Sequence, residues 1–578
     1  MKNVLKKYKW EFVAVAVLML LVYVTLAISF DFKNYDVSMP LFYQGVDDFG
    51  SSYKHAKILM DGGKWNYETE RLGAPFGAQY YDFMPDSLMN TEVFLLKIIG
   101  FFQKDPIIVV NIAVFFLFYV IAATAYYAMR QFGIRQDFAV IGAVVFDFSY
   151  YHFARLVEHF CLSSYQFVPL SILLCVWLWK DDRLFSKGKA FFKYKKNYLC
   201  ILFLFLIANN GIGYYSFFTC MFLGITGVAK SLRNRKWGTI GKTAALIAVN
   251  IFFIAAALIP CITYQMKNGS MLTQRTMGDI ELYAMKIIQL LIPYKWSEFW
   301  TEYYGSYAKT EAMSSYLGLL AVIGFIILIF ALLMHEKNSE KKDVIVLFAK
   351  LNVIAVLFAT MGGFESIFAS FVTGLVRGTN RISIFIAFMS LSTLGILMTR
   401  WMKKQNKYSK IWKPICEVLF CALAVFSLYD QVPASVTGAA AQLQEEKNSD
   451  SRFIEKIEAS VPEKSMIFQL PYHPYPEGGP VNQMQDYHLF IGFMYSKQLR
   501  WSYGGSKGRE GDLWYQQTAG MPVKQMIDEL KKKRFAGIYV DKRAYDEESF
   551  VSLDASLKAE LNCEPINSAN GNLYFYEF

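Results

Sequence analysis

Charge is scarce in this chain: Asp, Glu, Lys and Arg make up 19% of 578 residues, while 54% are apolar. So little charge against so much apolar side chain excludes an ordinary soluble protein, and 17% aromatics exclude intrinsic disorder. Its 37 glycines and 16 prolines, without low-complexity tracts, exclude a collagen-like chain. The eight cysteines contain no CxxC and no metal-ligand spacing. Cys175, Cys200, Cys220, Cys416 and Cys421 fall inside apolar runs, and Cys563 in the polar tail has no near partner, which excludes a disulfide scaffold. GxSxG, Walker and Rossmann fingerprints are missing, so nothing supports a nucleotide-driven pump. Lys and Arg outnumber Asp and Glu by 59 to 48, yet they sit between apolar runs, which points to membrane topology and not to nucleic acid.

What is present is a series of apolar runs, roughly 12–30, 107–129, 138–150, 161–179, 198–210, 214–229, 243–260, 316–334, 344–361, 380–399 and 412–430. The fold expected is an α-helical polytopic membrane protein of about 11 spans. The first run is too long for a signal-peptide core and lacks a small-x-small cleavage site, so it reads as an uncleaved helix. Several runs fall short of the ~20 residues of a full crossing, and 138–150 reads as a re-entrant or broken helix lining a polar cavity.

Counted from a cytoplasmic N-terminus, alternate connections collect the basic residues: Arg130 and Arg135, then Lys180 to Lys196, Lys230 to Lys242, Lys337 to Lys342 and Arg400 to Lys413. Loops 31–106 and 261–315 and the tail from 431 then lie outside. The expected division is a membrane domain, 1–430, and a small extracytoplasmic α/β domain, 431–578. In the tail 465–470 and 537–540 are β-type, 523–533 is helix-like, and 572–578 alternates as a last strand would.

Polar residues in costly places mark candidate sites. Asp47 and Asp48 open the first outer loop; an acid there can take a proton from an acceptor hydroxyl or bind a divalent cation, Mg²⁺ or Mn²⁺, beside a phosphate. Alternatively, the pair starts a helix over 49–60, where acids favour the N-terminal dipole. Asp86, after Pro85, reads as a helix cap or a ligand. His152, Arg155 and His159, at i, i+3 and i+7, share one face if 150–160 is helical, and Arg155 suits phosphate. HxxRxxEH is not a zinc spacing. Arg377, Asn380 and Arg381 stand before the tenth run on the outer side, where the positive-inside rule disfavours arginine; a lipid phosphate, a salt bridge to Glu365 or interfacial snorkelling explains them. The aromatic and turn-rich passages 471–480 and 500–509 suit sugar rings or domain packing.

With an early acid in a large first loop, many spans and a polar tail, the chain resembles the integral-membrane GT-C glycosyltransferases, and is similar to YfhO-type bacterial membrane proteins. The likeness rests on Asp48-Phe49-Gly50-Ser51-Ser52-Tyr53, on His159-Phe160-Cys161-Leu162 with Tyr165-Gln166-Phe167-Val168-Pro169-Leu170, and on Asn380-Arg381-Ile382-Ser383. The resemblance implies a bacterial plasma-membrane enzyme that moves sugar from a polyprenyl-phosphate donor to a cell-surface glycan or teichoic-acid-type acceptor on the outer face. It implies Asp48 as base with Asp47 as its partner, and His159 and Arg381 facing the donor; metal use varies within the class. Two other readings stay open. A flippase for a lipid-linked saccharide needs no base in the first loop, and a wall-polymer receptor needs no acids at the membrane.

Overall fold

The computed structural model describes residues 2–41, 49–63, 65, 67–186, 188–271, 277–293, 311–333, 343–372, 376–404 and 409–578. From the N-terminus the helices are α1 (Lys2–Ser29), α2 (Phe49–Met60) and α3 (Asn90–Phe102), then α4 (Pro106–Gln131), α5 (Gln136–Asp147), α6 (Val168–Lys180) and α7 (Lys195–Ala208). α8 (Tyr214–Asn234), α9 (Gly238–Asn268), α10 (Leu319–Leu333), α11 (Val344–Ala359), the short α12 (Phe364–Phe371), α13 (Ser383–Lys403) and α14 (Ser409–Gln431) complete the bundle.

Among the described residues seven helical segments are long and apolar enough to cross a membrane: those of α1, α4, α6, α8, α9, α13 and α14. The other runs are also helical but shorter within the described residues. α5, α7, α10 and α11 hold 12, 14, 15 and 16 residues, about 18–24 Å at 1.5 Å per residue against a ~30 Å hydrocarbon core. The run 138–150 therefore does not cross as one helix; α5 ends at Asp147, and irregular chain follows to Phe167, broken by the single turns Tyr150–Phe153 and Phe160–Ser163. Non-helical backbone is tolerable near a membrane only when the protein itself surrounds it. Tyr151, Ser163, Ser164 and Tyr165 in that segment are all buried.

Ion pairs gather the basic connections at one end of the bundle. Arg130 at the end of α4 pairs with Glu11 of α1, and Arg135 with Glu417 of α14. Arg400 of α13 meets Asp343 before α11 at 2.8 Å, and Lys230 of α8 meets Asp182 after α6 at 2.5 Å. The connections 31–106, 148–167, 209–213 and 376–382 leave the opposite ends of these helices. There α3 exposes Phe94, Ile98, Phe101 and Phe102, a helical stripe, and leads through three residues into α4. An exposed apolar stripe of this kind suits a membrane boundary.

The tail begins with α15 (Ala440–Ser460) and includes α16 (Val523–Lys532). After a small antiparallel pair in the first connection, β1 (Glu68–Thr69) and β2 (Ala78–Gln79), the tail supplies β3 (Met466–Leu470), β4 (Arg500–Trp501), β5 (Phe535–Asp541), β6 (Ile566–Asn567) and β7 (Leu573–Glu577). They form one sheet in the order β4-β3-β5-β7-β6. β3 runs parallel to β4 and β5, with Leu470 opposite Val540, and β7 runs antiparallel to β5, with Tyr574 opposite Val540. The last strand is thus one place in from the edge. At the other edge the first connection covers β4: Trp501 N–H donates to the Arg71 carbonyl and Ala74 N–H to the Trp501 carbonyl, both at 2.9 Å, so the sheet edge is not left open. Arg509 adds a paired contact to Asp82 and donates to the Asn268 and Gly269 carbonyls at the end of α9.

Candidate functional site

The segments that leave the bundle opposite its basic end pack on one another beneath the tail. Ser52 of α2 donates to the Val157 carbonyl at 3.2 Å, tying the first connection to the segment after α5. Thr91 N–H donates to the Asn209 carbonyl at 3.0 Å, tying it also to the break between α7 and α8.

Within this region the arginines converge. Arg155, only 1% exposed, donates from Nη2 to Asn380 Oδ1 at 3.3 Å, and its guanidinium lies 4.3 Å from the Tyr151 ring centroid. Asn380 Nδ2 donates to the Tyr283 carbonyl at 2.9 Å, and the Tyr283 ring lies 4.8 Å from the Arg377 guanidinium. Arg381 stacks over Tyr214 at 4.1 Å, and the Gly378 N–H reaches the Tyr214 hydroxyl at 3.3 Å. Gly378 is needed for this packing, because a Cβ there would lie 2.6 Å from the Arg381 guanidinium carbon. Three guanidiniums and an amide are held at one end of the helical bundle, Arg155, Asn380 and Arg381 buried and Arg377 partly exposed, and planar, forked donors of this kind match the oxygens of a phosphate.

The acids around the cluster do not neutralise it uniformly. Glu365, on the buried side of α12, accepts from the Thr379 hydroxyl and not from an arginine, and burial lifts its carboxyl to about 8. The carboxyl that the sequence offered as a salt-bridge partner is thus bonded to Thr379. Arg377 instead meets Glu477 of the tail at 3.3 Å.

Asp86 sits in the turn Met84–Leu88 with its Oδ2 3.0 Å from His55 Nε2. It does not cap the following helix: α3 has Met89 at its N-cap and no side-chain cap bond. Burial, then the neighbouring Lys54, holds the His55 imidazole below its ordinary range against the opposing pull of Asp86. Lys54, fully buried, reaches the Tyr475 hydroxyl and lies 4.2 Å from the Tyr80 ring centroid.

Glu92 opens α3 and braces the α7–α8 break. It accepts from Gly211 N–H at 2.9 Å, from the Asn210 amide and from the Thr91 hydroxyl at 2.8 Å. The brace holds Ile212 at φ = +48°, unusual for a β-branched residue. Burial outweighs those donors and raises the Glu92 carboxyl from 4.5 to about 7. The unfolded chain therefore loses this proton first, and stability declines as pH rises from 4.5 to about 7, by roughly 3 kcal/mol. Glu92→Gln does not titrate, so its thermal midpoint relative to the parent should be higher at pH 7.5 than at pH 5. A pH-independent difference between the two would contradict the raised carboxyl.

The arrangement brings together Arg155, Arg377, Asn380 and Arg381 of the residues expected from sequence. It does not bring together His152, Arg155 and His159. The expected helical face fails because the chain turns at Leu156, φ = +25°, between the single turns Tyr150–Phe153 and Phe160–Ser163. His152 is instead a core residue, stacked on Phe118 at 3.9 Å with Nδ1 3.0 Å from the Asp147 carbonyl, and His159 is half-buried at the start of the second turn. Asp86 joins His55 rather than the arginines. Asp47 and Asp48 lie outside the described residues; Phe49, next in the chain, begins α2, as the helix reading of 49–60 expects. Among the described residues no three His, Cys, Asp or Glu side chains come together as a metal-binding group. Sequence reading missed Lys54, His55, Glu92 and Glu477; the signal available was two adjacent titratable residues, Lys54 and His55, within a short helix.

The model of one family, described as a domain of unknown function (DUF6311), matches residues 91–365. No curated protein matches the chain. Among solved structures, ArnT from Cupriavidus metallidurans bound to undecaprenyl phosphate superposes with a TM-score of 0.50 at 10% identity, covering 98% of each chain. The mycobacterial arabinofuranosyltransferase AftD matches with a TM-score of 0.47 at 13% identity over 93% of this chain, which spans only 35% of that protein's length. An oligosaccharyltransferase from Archaeoglobus fulgidus, in complex with Zn and sulfate, matches with a TM-score of 0.44 at 10% identity, covering 97% of this chain and 73% of its own. At such identities the likeness is one of architecture: a polytopic helical membrane protein with the GT-C fold and a small C-terminal sheet domain.

Proposed function

We propose that the chain is a membrane glycosyltransferase that moves a sugar from a polyprenyl-phosphate donor to a cell-surface glycan or teichoic-acid-type acceptor on the outer face of a bacterial plasma membrane. The observation that carries this reading is the convergence of Arg155, Arg377, Asn380 and Arg381 at the bundle end opposite the basic connections. Arginine is costly at that end unless it meets an anion, and a lipid phosphate enters at the depth where span ends meet water. The structural likeness to ArnT, whose structure contains undecaprenyl phosphate, supports the same class of donor.

In this reading the Asp48 carboxylate takes the proton of the acceptor hydroxyl as its oxygen bonds to the anomeric carbon. The polyprenyl phosphate departs with the electrons of the broken C–O bond, and the arginines offset the charge gathering on it. A phosphate leaves as a stable anion, so no protonating acid is required. Asp47 adjoins the base, and a divalent cation beside the pair would neutralise the same departing charge. Asp86 and His55 anchor α2, the helix that follows the base.

Purified protein supplied with a panel of polyprenyl-phosphate sugars tests the proposal directly. Release of the lipid phosphate with sugar appearing on an acceptor supports it; movement of the intact lipid-linked sugar between leaflets without cleavage would establish a flippase instead. The orientation has its own expected result. A cysteine placed at Glu463 in a cysteine-free background reacts with an impermeant thiol reagent on intact cells, and one placed at Arg183 does not. The reverse pattern would invert the topology.

A further inference from the structure

The tail touches the arginine cluster through Glu477, whose Oε1 accepts from Arg377 Nη2 at 3.3 Å. Glu477 holds φ = +57°, the left-handed region that a residue with a Cβ seldom occupies. The surrounding turn enforces this conformation. Asp486 Oδ1 accepts from the Gly478 and Gly479 N–H groups at 2.9 and 3.1 Å and lies 2.7 Å from His473 Nε2. A Cβ on Gly478 would lie 2.5 Å from that imidazole, so the turn admits no larger residue there without shifting. Two residues earlier, Tyr475 receives Lys54 from α2. Buried polar bonds are thus arranged to keep one glutamate in an unfavourable backbone conformation facing Arg377. Strain held so firmly is a mark of use.

The pair itself is accessible. The Glu477 side chain is 45% exposed and that of Arg377 23%, so water and solutes reach both and the bond is readily exchanged. We propose that Glu477 is the counter-ion that holds Arg377 before the donor binds and that the donor's phosphate displaces it, making Glu477 a specificity-determining residue supplied by the C-terminal domain. The inference rests on the arginine cluster's being the phosphate site. One guanidinium then serves two anions in turn: a phosphate carries the charge to compete with the carboxylate, while an uncharged polyprenol does not. The carboxylate therefore weakens phosphate binding somewhat and favours ligands bearing the full charge.

The test uses the full chain in nanodiscs with undecaprenyl phosphate and uncharged undecaprenol as probes. Glu477→Gln keeps the shape and loses the charge, and it should bind undecaprenyl phosphate about two- to fivefold more tightly at low salt, as expected for an exposed ion pair. Glu477→Gly, which also relieves the backbone, should show the same gain, and undecaprenol binding should not change. The gain should vanish in an Arg377→Gln background and shrink in 0.5 M salt, taken as roughly one Debye length of 4 Å. A residue with a merely structural part would not tighten binding when altered. Unchanged or weaker phosphate binding by Glu477→Gln, with Arg381→Ala weakened, overturns the counter-ion role alone. Parent affinity in Glu477→Gln, Arg377→Gln and Arg381→Ala together overturns the phosphate site beneath it.

Discussion

Sugar transfer by Asp48→Asn should fall by about 10²- to 10⁴-fold, the usual cost of removing a general base, while donor binding stays near the parent's. Asparagine is nearly the same size as aspartate but cannot accept the acceptor's proton, so the defect belongs to turnover. The measurement is initial rate at saturating donor beside donor affinity for the same preparation, with correct insertion checked by thermal midpoint. Asp47→Asn and Asp86→Asn serve as comparisons. Asp86 is bonded to His55 within the fold, so its loss should lower stability more than turnover in the protein that remains folded. Parent-rate transfer by Asp48→Asn together with a dead Asp47→Asn would move the base by one residue. Full activity of all three would remove the loop acid from the mechanism.

Arg381→Ala should weaken donor binding on the order of 10- to 100-fold, the range for losing hydrogen bonds to a charged group. Arg381→Lys should recover only part of that loss. Lysine restores the charge, but it lacks the flat fork and the stacked face that Arg381 lays on Tyr214 at 4.1 Å. Donor affinity across the three proteins decides the matter: equal affinity of Arg381→Ala and the parent rejects the phosphate role. Gly378→Ala makes a useful companion, because its methyl would press on the same guanidinium at 2.6 Å without removing it.

The membrane helices were legible because lipid removes the need for periodicity: an uninterrupted apolar run is itself the signal, and α4 and α13 follow their runs closely, while α9 extends beyond its run at both ends. The expected helix 49–60 is present, though Asp47 and Asp48 before it lie outside the described residues, and β7 was legible because Asn572 to Phe578 alternates. Where the reading failed, it had extended a local rule through a place the tertiary structure controls. The spacing of His152, Arg155 and His159 is helical, but Leu156 takes a positive φ and the chain turns between them. The arginines were visible because they stand on the wrong side of a charge rule; their partners were not. Arg377 and Glu477 are 100 residues apart, Arg71 and Ser496 are 425 apart, and no local pattern announces such pairs.

The contact between the first connection and β4 also sets a timetable. Arg500 bonds to the Glu70 carbonyl across 430 residues of chain. At 5–20 residues per second, roughly 20–90 s of synthesis separate the appearance of one partner from that of the other. Until β4 is made residues 67–82 have no sheet edge to cover, and the turn that carries Glu477 is itself made only shortly before it. However early the helices insert, the candidate site is assembled only near the end of translation. Chains interrupted between Gln431 and Trp501 would consequently share one defect, an inserted bundle whose first loop lacks its roof.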